Sequence, residues 1–70
     1  MNAQKMFEEL GYEYKNPSGI EKNMISCVAN NTAIMFSKEH KEYWHTPLTS
    51  ITVEEHQAIH QQMKELGWIE

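Results

Sequence analysis

The sequence predicts an α+β domain of order α-β-β-β-β-α, in which an antiparallel meander sheet carries two helices packed on one face. Three observations lead there. Two amphipathic stretches, one at each end of the chain, are closed by the same device, Glu9-Leu10-Gly11-Tyr12 and Glu65-Leu66-Gly67-Trp68. Between them lie segments of strand-like composition rich in β-branched and aromatic residues, separated by polar turn signals. The registers implied by those turns also agree with one another, collecting most of the large apolar side chains on one face. With 70 residues, residues 1–70 make one small domain with one core.

The last stretch, Ile51 to Trp68, carries the most complete set of signals. Thr52 and Glu55 have capping-box spacing, in which the hydroxyl accepts from the N3 amide and the carboxylate accepts from the N-cap amide. Ile59, Met63 and Leu66, with His56 one turn earlier, form a stripe that needs a core to bury against. Ile51 stands where it can staple onto His56. Gly67 supplies a left-handed stop, and Trp68 is placed to fold back on Met63.

At the other end, Asn2 caps a helix in which Ala3, Met6, Phe7 and Leu10 share a face, and Gly11 ends it. Asn16-Pro17-Ser18-Gly19 has the residue order of a type I turn. Asn30-Asn31 tolerates positive φ and suits a two-residue hairpin loop. Glu39-His40, flanked by lysines, makes a third turn. The strands then run from Tyr12 to Lys15, Ile20 to Ala29, Thr32 to Lys38 and Lys41 to His45.

These turns set Cys27 opposite Ile34, Ile25 opposite Phe36, Phe36 opposite Tyr43 and Ile34 opposite His45. They set Tyr14 opposite Glu21 and Tyr12 opposite Asn23. One face therefore holds Tyr12, Tyr14, Ile25, Cys27, Ile34, Phe36, Tyr43 and His45, and this is the face assigned to the helices. The other pairs Glu13 with Lys22 and Ser37 with Glu42, yet it also carries Met24, Val28, Met35 and Trp44. Because side chains alternate, a one-residue slip would exchange the two faces.

Composition narrows the function classes. The net charge is −4 with neutral histidines, and the sequence has neither arginine nor aspartate. Arginine supplies the bidentate contacts that read phosphates and guanine edges, so its absence from an acidic chain argues against nucleic acid as a partner. Lack of aspartate removes the EF-hand loop. One cysteine precludes an internal disulfide and suits a reducing, cytoplasmic compartment. The first residues lack a basic region followed by an apolar core, and no run reaches the roughly 18 apolar residues of a membrane span, so no membrane association is expected.

MFEELGYEY near the start, IMFSKEHKEYW in the middle and ITVEEHQAIHQQMKELGW at the end resemble a family of small uncharacterised proteins encoded by phages and prophages of low-GC Gram-positive bacteria. The resemblance spans nearly the whole chain. It rests on the glycine-stopped first helix leading into an aromatic strand, on Ile34 and Phe36, and on Glu65 to Trp68. It implies a structural likeness and brings no activity with it. His56 stands where such proteins carry an aliphatic residue, which weighs against a shared metal or catalytic role there.

Two functional readings follow from the residues. The first is a cytoplasmic interaction module without catalytic activity or cofactor, engaging an unknown protein partner or a second copy of itself through Met24, Met35 and Trp44. Soft thioethers around an aromatic anchor favour interfaces, although a tryptophan that merely shields its own sheet would look the same. The second is a small zinc-binding domain. His56 and His60 have the helical spacing that lets two imidazoles meet one ion, and Cys27 and His45 lie on the face His56 would approach. Gln57 replaces the glutamate that a metalloprotease motif requires, and Cys27 with His45 would be about 9–10 Å apart at the backbone. Buried thiols and half-polar histidines account for the same residues without a metal. Cys27 has no helix N-terminus or cation beside it to make it a nucleophile, and the glutamate pairs Glu8-Glu9 and Glu54-Glu55 lie on solvated helix faces. No enzyme is therefore expected.

Overall fold

In a computed structural model describing residues 2–16, 23–46 and 50–70, the order is α1 (Ala3–Glu9), β1 (Glu13–Lys15), β2 (Met24–Val28), β3 (Ala33–Ser37), β4 (Glu42–Thr46) and α2 (Val53–Glu65). The strands form one antiparallel sheet in the order β1-β2-β3-β4. Both helices contribute to a single core with one face of that sheet. Phe7 and Ala3 come from α1, Ala58 and Ile59 from α2, and Ile25, Cys27, Ile34 and Phe36 from the strands.

Each helix starts and stops for a local reason. The Asn2 side chain accepts from the Lys5 amide at 2.9 Å, supplying a partner for one of the free N–H groups of α1. The capping box of α2 is complete: the Thr52 amide donates to Glu55 Oε1 at 2.8 Å, and the Glu55 amide donates to Thr52 Oγ1 at 3.0 Å. Both ends are Schellman turns. Tyr12 N–H donates to the Phe7 carbonyl and Gly11 N–H to that of Glu8, while Trp68 N–H donates to Met63 and Gly67 N–H to Lys64, each at 3.0 Å.

The two glycines hold φ of 95° and 78°. A Cβ at either position would meet nothing within 4 Å, so an alanine there would suffer only from its backbone conformation. Gly11→Ala and Gly67→Ala are each expected to destabilise the domain by about 1–2 kcal/mol, read from urea denaturation midpoints at constant slope. A cost near zero would show that these caps do not hold the helix ends.

The β2–β3 and β3–β4 registers follow the sequence: Ile25 pairs with Phe36, Cys27 with Ile34, Ile34 with His45, Met35 with Trp44 and Phe36 with Tyr43. β1 differs. Tyr14 pairs with Cys27 instead of Glu21, and Glu13 with Val28 instead of Lys22. The expected turn at Asn16-Pro17-Ser18-Gly19 falls largely outside the described residues. The register moves by an even number of residues, so Tyr12 and Tyr14 keep the helix-facing side. The physical gain is central placement: Phe7 now lies against Tyr12, Tyr14 and Phe36, with ring centroids 5.6, 6.2 and 6.2 Å away.

Three local expectations are also corrected. Lys41, at φ 56°, is the only non-glycine residue with positive φ among those described, so the Asn30-Asn31 loop closes without left-handed backbone. The β3–β4 connection instead uses Lys41, whose amide reaches the Ser37 carbonyl at 3.0 Å. Finally, α2 is rotated by about one residue from its expected stripe. Ala58, Ile59 and Gln62 are buried, Met63 and Leu66 only partly so, and His56 is exposed while Ile51 packs on the core.

Candidate functional site: the helix-free face of the sheet

Alternation along the strands determines what the sheet shows on the side away from the helices. Across it run three rows, Met24-Ser37-Glu42, Lys15-Ser26-Met35-Trp44 and Glu13-Val28-Ala33-Thr46. Trp44 is 44% exposed and Val28 45%, while Met35 and, in the row nearest the β3–β4 turn, Met24 are half-buried on the same face. Trp44 is the only aromatic residue of these rows. Ser37 is buried there, its hydroxyl oxygen accepting from the His40 amide at 3.3 Å. The three residues singled out from sequence thus share one face, with Met35 directly opposite Trp44. Glu13, Lys15 and Glu42 lie at its margins, and Glu13 pairs with Lys15 at 3.6 Å in solvent.

No family model, curated protein or solved structure matches this chain.

The four residues of the zinc reading are placed differently from one another. Cys27 is fully buried in the core, His45 is half-buried, and His56 and His60 are exposed. Ile34 stands between Cys27 and His45 in the sheet. Among the described residues, no three His, Cys, Asp or Glu side chains converge where an ion could be held. Burial pushes the Cys27 thiol up to about 12, which keeps it protonated at neutral pH and a poor nucleophile or metal ligand.

Between the sheet and α2 lies a set of polar contacts that the sequence reading missed. Tyr12 Oη donates to Glu55 Oε2 at 2.5 Å, and Tyr14 Oη donates to Gln62 Oε1 at 2.6 Å. At the far end of α2, Glu65 Oε2 accepts from the Ala3 amide at 2.8 Å and from Gln61 Nε2 at 2.9 Å. A signal existed for the first two. Tyr12 and Tyr14 are two apart on the helix-facing side, so each hydroxyl needed a partner, and Glu55 and Gln62 flank Ile59 on the same helical face. His45 belongs to the same neighbourhood, and its Nδ1 is buried without a hydrogen-bond partner among the described residues.

Burial acts on the two tyrosines as it does on Cys27. It raises Tyr14 to about 12, with the Cys27 thiolate and Glu65 charges adding to it, and raises Tyr12 further still, with Glu55 adding to it. Groups whose native pKa is raised contribute stability that is complete below their unfolded values and is lost as pH climbs through the native ones. Stability should therefore hold up to about pH 9 and fall between roughly pH 9 and 12, the interval between the unfolded cysteine and the native thiol and Tyr14 hydroxyl. Thermal unfolding followed by circular dichroism across that range checks it. In Cys27→Ala the decline should begin later, nearer the ordinary tyrosine value of about 10; an unchanged onset would remove Cys27 from the alkaline transition.

Proposed function

We propose that this chain is a phage-derived protein-interaction module without catalytic activity, and that it engages its partner through the helix-free face of the sheet around Trp44 and Met35. The observation that carries this reading is the placement of Trp44. Phe7, Phe36 and Tyr12 are used in the core, and Trp68 packs partly against it, whereas Trp44 stands on the opposite side with nearly half of its surface in solvent. A large, rigid, amphipathic ring directly opposite a flexible thioether, with a second thioether on the same face, is the composition that supplies binding energy at interface centres. The margin of Glu13, Lys15 and Glu42 fits the polar rim that surrounds such a centre. The phage setting rests on the sequence resemblance alone.

The reading separates binding from folding. Replacing Trp44 and Met35 by serine and glutamine should leave a cooperative thermal transition within a few degrees of the parent, since neither side chain belongs to the core between the sheet and the helices. The same variant should lose its partner. Outright unfolding would identify the pair as core residues and refute the proposal.

A further inference from the structure

We propose that the partner surface includes the outer edge of β4, and that its occupant is a second copy of this chain, paired antiparallel about a two-fold axis at Trp44. The proposal rests on the interaction reading above and adds the geometry and the identity of the partner.

The hydrogen-bond phase of the sheet carries the argument. Ala29 N–H donates to the Thr32 carbonyl, and Lys38 N–H donates to the Asn23 carbonyl, each at 2.8 Å. Antiparallel pairs alternate between bonded and non-bonded. With the continuous β2–β3 register, the backbones of Ile34 and Phe36 therefore point toward β2, and those of Ala33, Met35 and Ser37 toward β4. Their partners on β4 are Thr46, Trp44 and Glu42. Tyr43 and His45 are left with N–H and C=O groups directed away from the sheet, and no strand pairs with that side among the described residues. The close approach of the Phe36 and Tyr43 rings, 5.6 Å between centroids, agrees with a non-bonded pair, where side chains lie nearest.

A two-fold axis at Trp44 satisfies this edge completely. Tyr43 of each copy then faces His45 of the other as a bonded pair, so both open residues of both copies are used. Trp44 meets its own counterpart at a non-bonded site, where cross-strand aromatic pairs come closest. Glu42 faces Thr46, so no like charges oppose each other. Neighbouring registers do worse: an axis at His45 sets Tyr43 against a position beyond Thr46, the last residue of β4, and an axis at Tyr43 sets Glu42 against Trp44. The pairing would also join the two Met35-Trp44 rows into one apolar strip across an extended sheet. The edge at β1 is shorter, with three residues against five.

The experiment is light scattering and sedimentation of the full chain at concentrations up to about 1 mM, with circular dichroism of each variant. The wild-type chain should reach twice its monomer mass, and more readily as salt rises, because each copy carries a net charge of −4. His45→Pro removes an outward N–H without touching a bond to β3 and should abolish dimerisation while the sheet persists. Trp44→Lys and Trp44→Glu, at an exposed position, should each be folded and monomeric alone and form a heterodimer on mixing. That charge pair decides the matter if the proline variant fails to fold. A wild-type chain monomeric throughout overturns the self-pairing and leaves the sheet-face reading to its own test. A folded Trp44→Lys that still dimerises overturns the Trp44 axis.

Discussion

Phe36→Ala is expected to remove about 4 kcal/mol of stability, a large share of what a domain of this size possesses. Phe36 is fully buried in β3, and its ring lies within 5.6 to 6.3 Å of Phe7, Tyr43 and Trp68. It is the residue where both helix ends and two strands meet. Truncation of a buried phenylalanine costs roughly 3–5 kcal/mol, the upper part arising when the cavity cannot collapse. Here α1 and α2 are each tied to the rest of the chain by hydrogen bonds, which resists collapse. Total stability by length is about 4–10 kcal/mol, so the midpoint should fall by roughly 15–30 °C or the cooperative transition should vanish. Calorimetry decides it; a loss of only a few degrees would mean that the core is not organised around this ring.

Glu55→Ala should cost about 2–3 kcal/mol, from losing the carboxylate half of the capping box and the acceptor of the Tyr12 hydroxyl. One carboxylate serves both: Oε1 accepts from the Thr52 amide and Oε2 from Tyr12 Oη. Tyr12 is only 6% exposed, so its hydroxyl would have little access to water as a substitute. The Thr52 amide first, and the Tyr12 hydroxyl after it, hold the Glu55 carboxyl below its ordinary value. A depressed native pKa contributes stability that is present above the unfolded value and lost as pH falls through the native one. The parent should therefore weaken on acidification below about pH 4.5, and Glu55→Gln should show a shallower decline in the same interval. If Tyr12→Phe and Glu55→Ala prove additive in a double-mutant cycle, the hydroxyl–carboxylate contact contributes nothing of its own.

Trp44 and Met35 were legible as a possible site because alternation is a property of the backbone. Once the Asn30-Asn31 loop and the β3–β4 turn set the pairing, every residue of β2, β3 and β4 had a side, and the helix-free side included Met24, Met35 and Trp44. The zinc set used the same logic for Cys27 and His45 but required α2 to present His56. Helix rotation is decided by packing, and α2 turned Ala58, Ile59 and Gln62 inward, leaving His56 outside.

What this sequence determined by itself was therefore local or periodic: both Schellman turns, the Asn2 cap, the Thr52-Glu55 capping box, the element order, the faces of the sheet and two of its three registers. These depend on interactions within a few residues, or on short connections that leave one solution. The tertiary structure alone decided the β1 register, the rotation of α2 and the pairing of Tyr12 with Glu55 and Tyr14 with Gln62. Each joins residues far apart in the chain, and each was chosen by how Phe7, Ile59 and the tyrosine rings fill a common volume while their hydroxyls still find acceptors. Turn chemistry carries no information about that fit, because it concerns the shape of the core and not the path of the backbone.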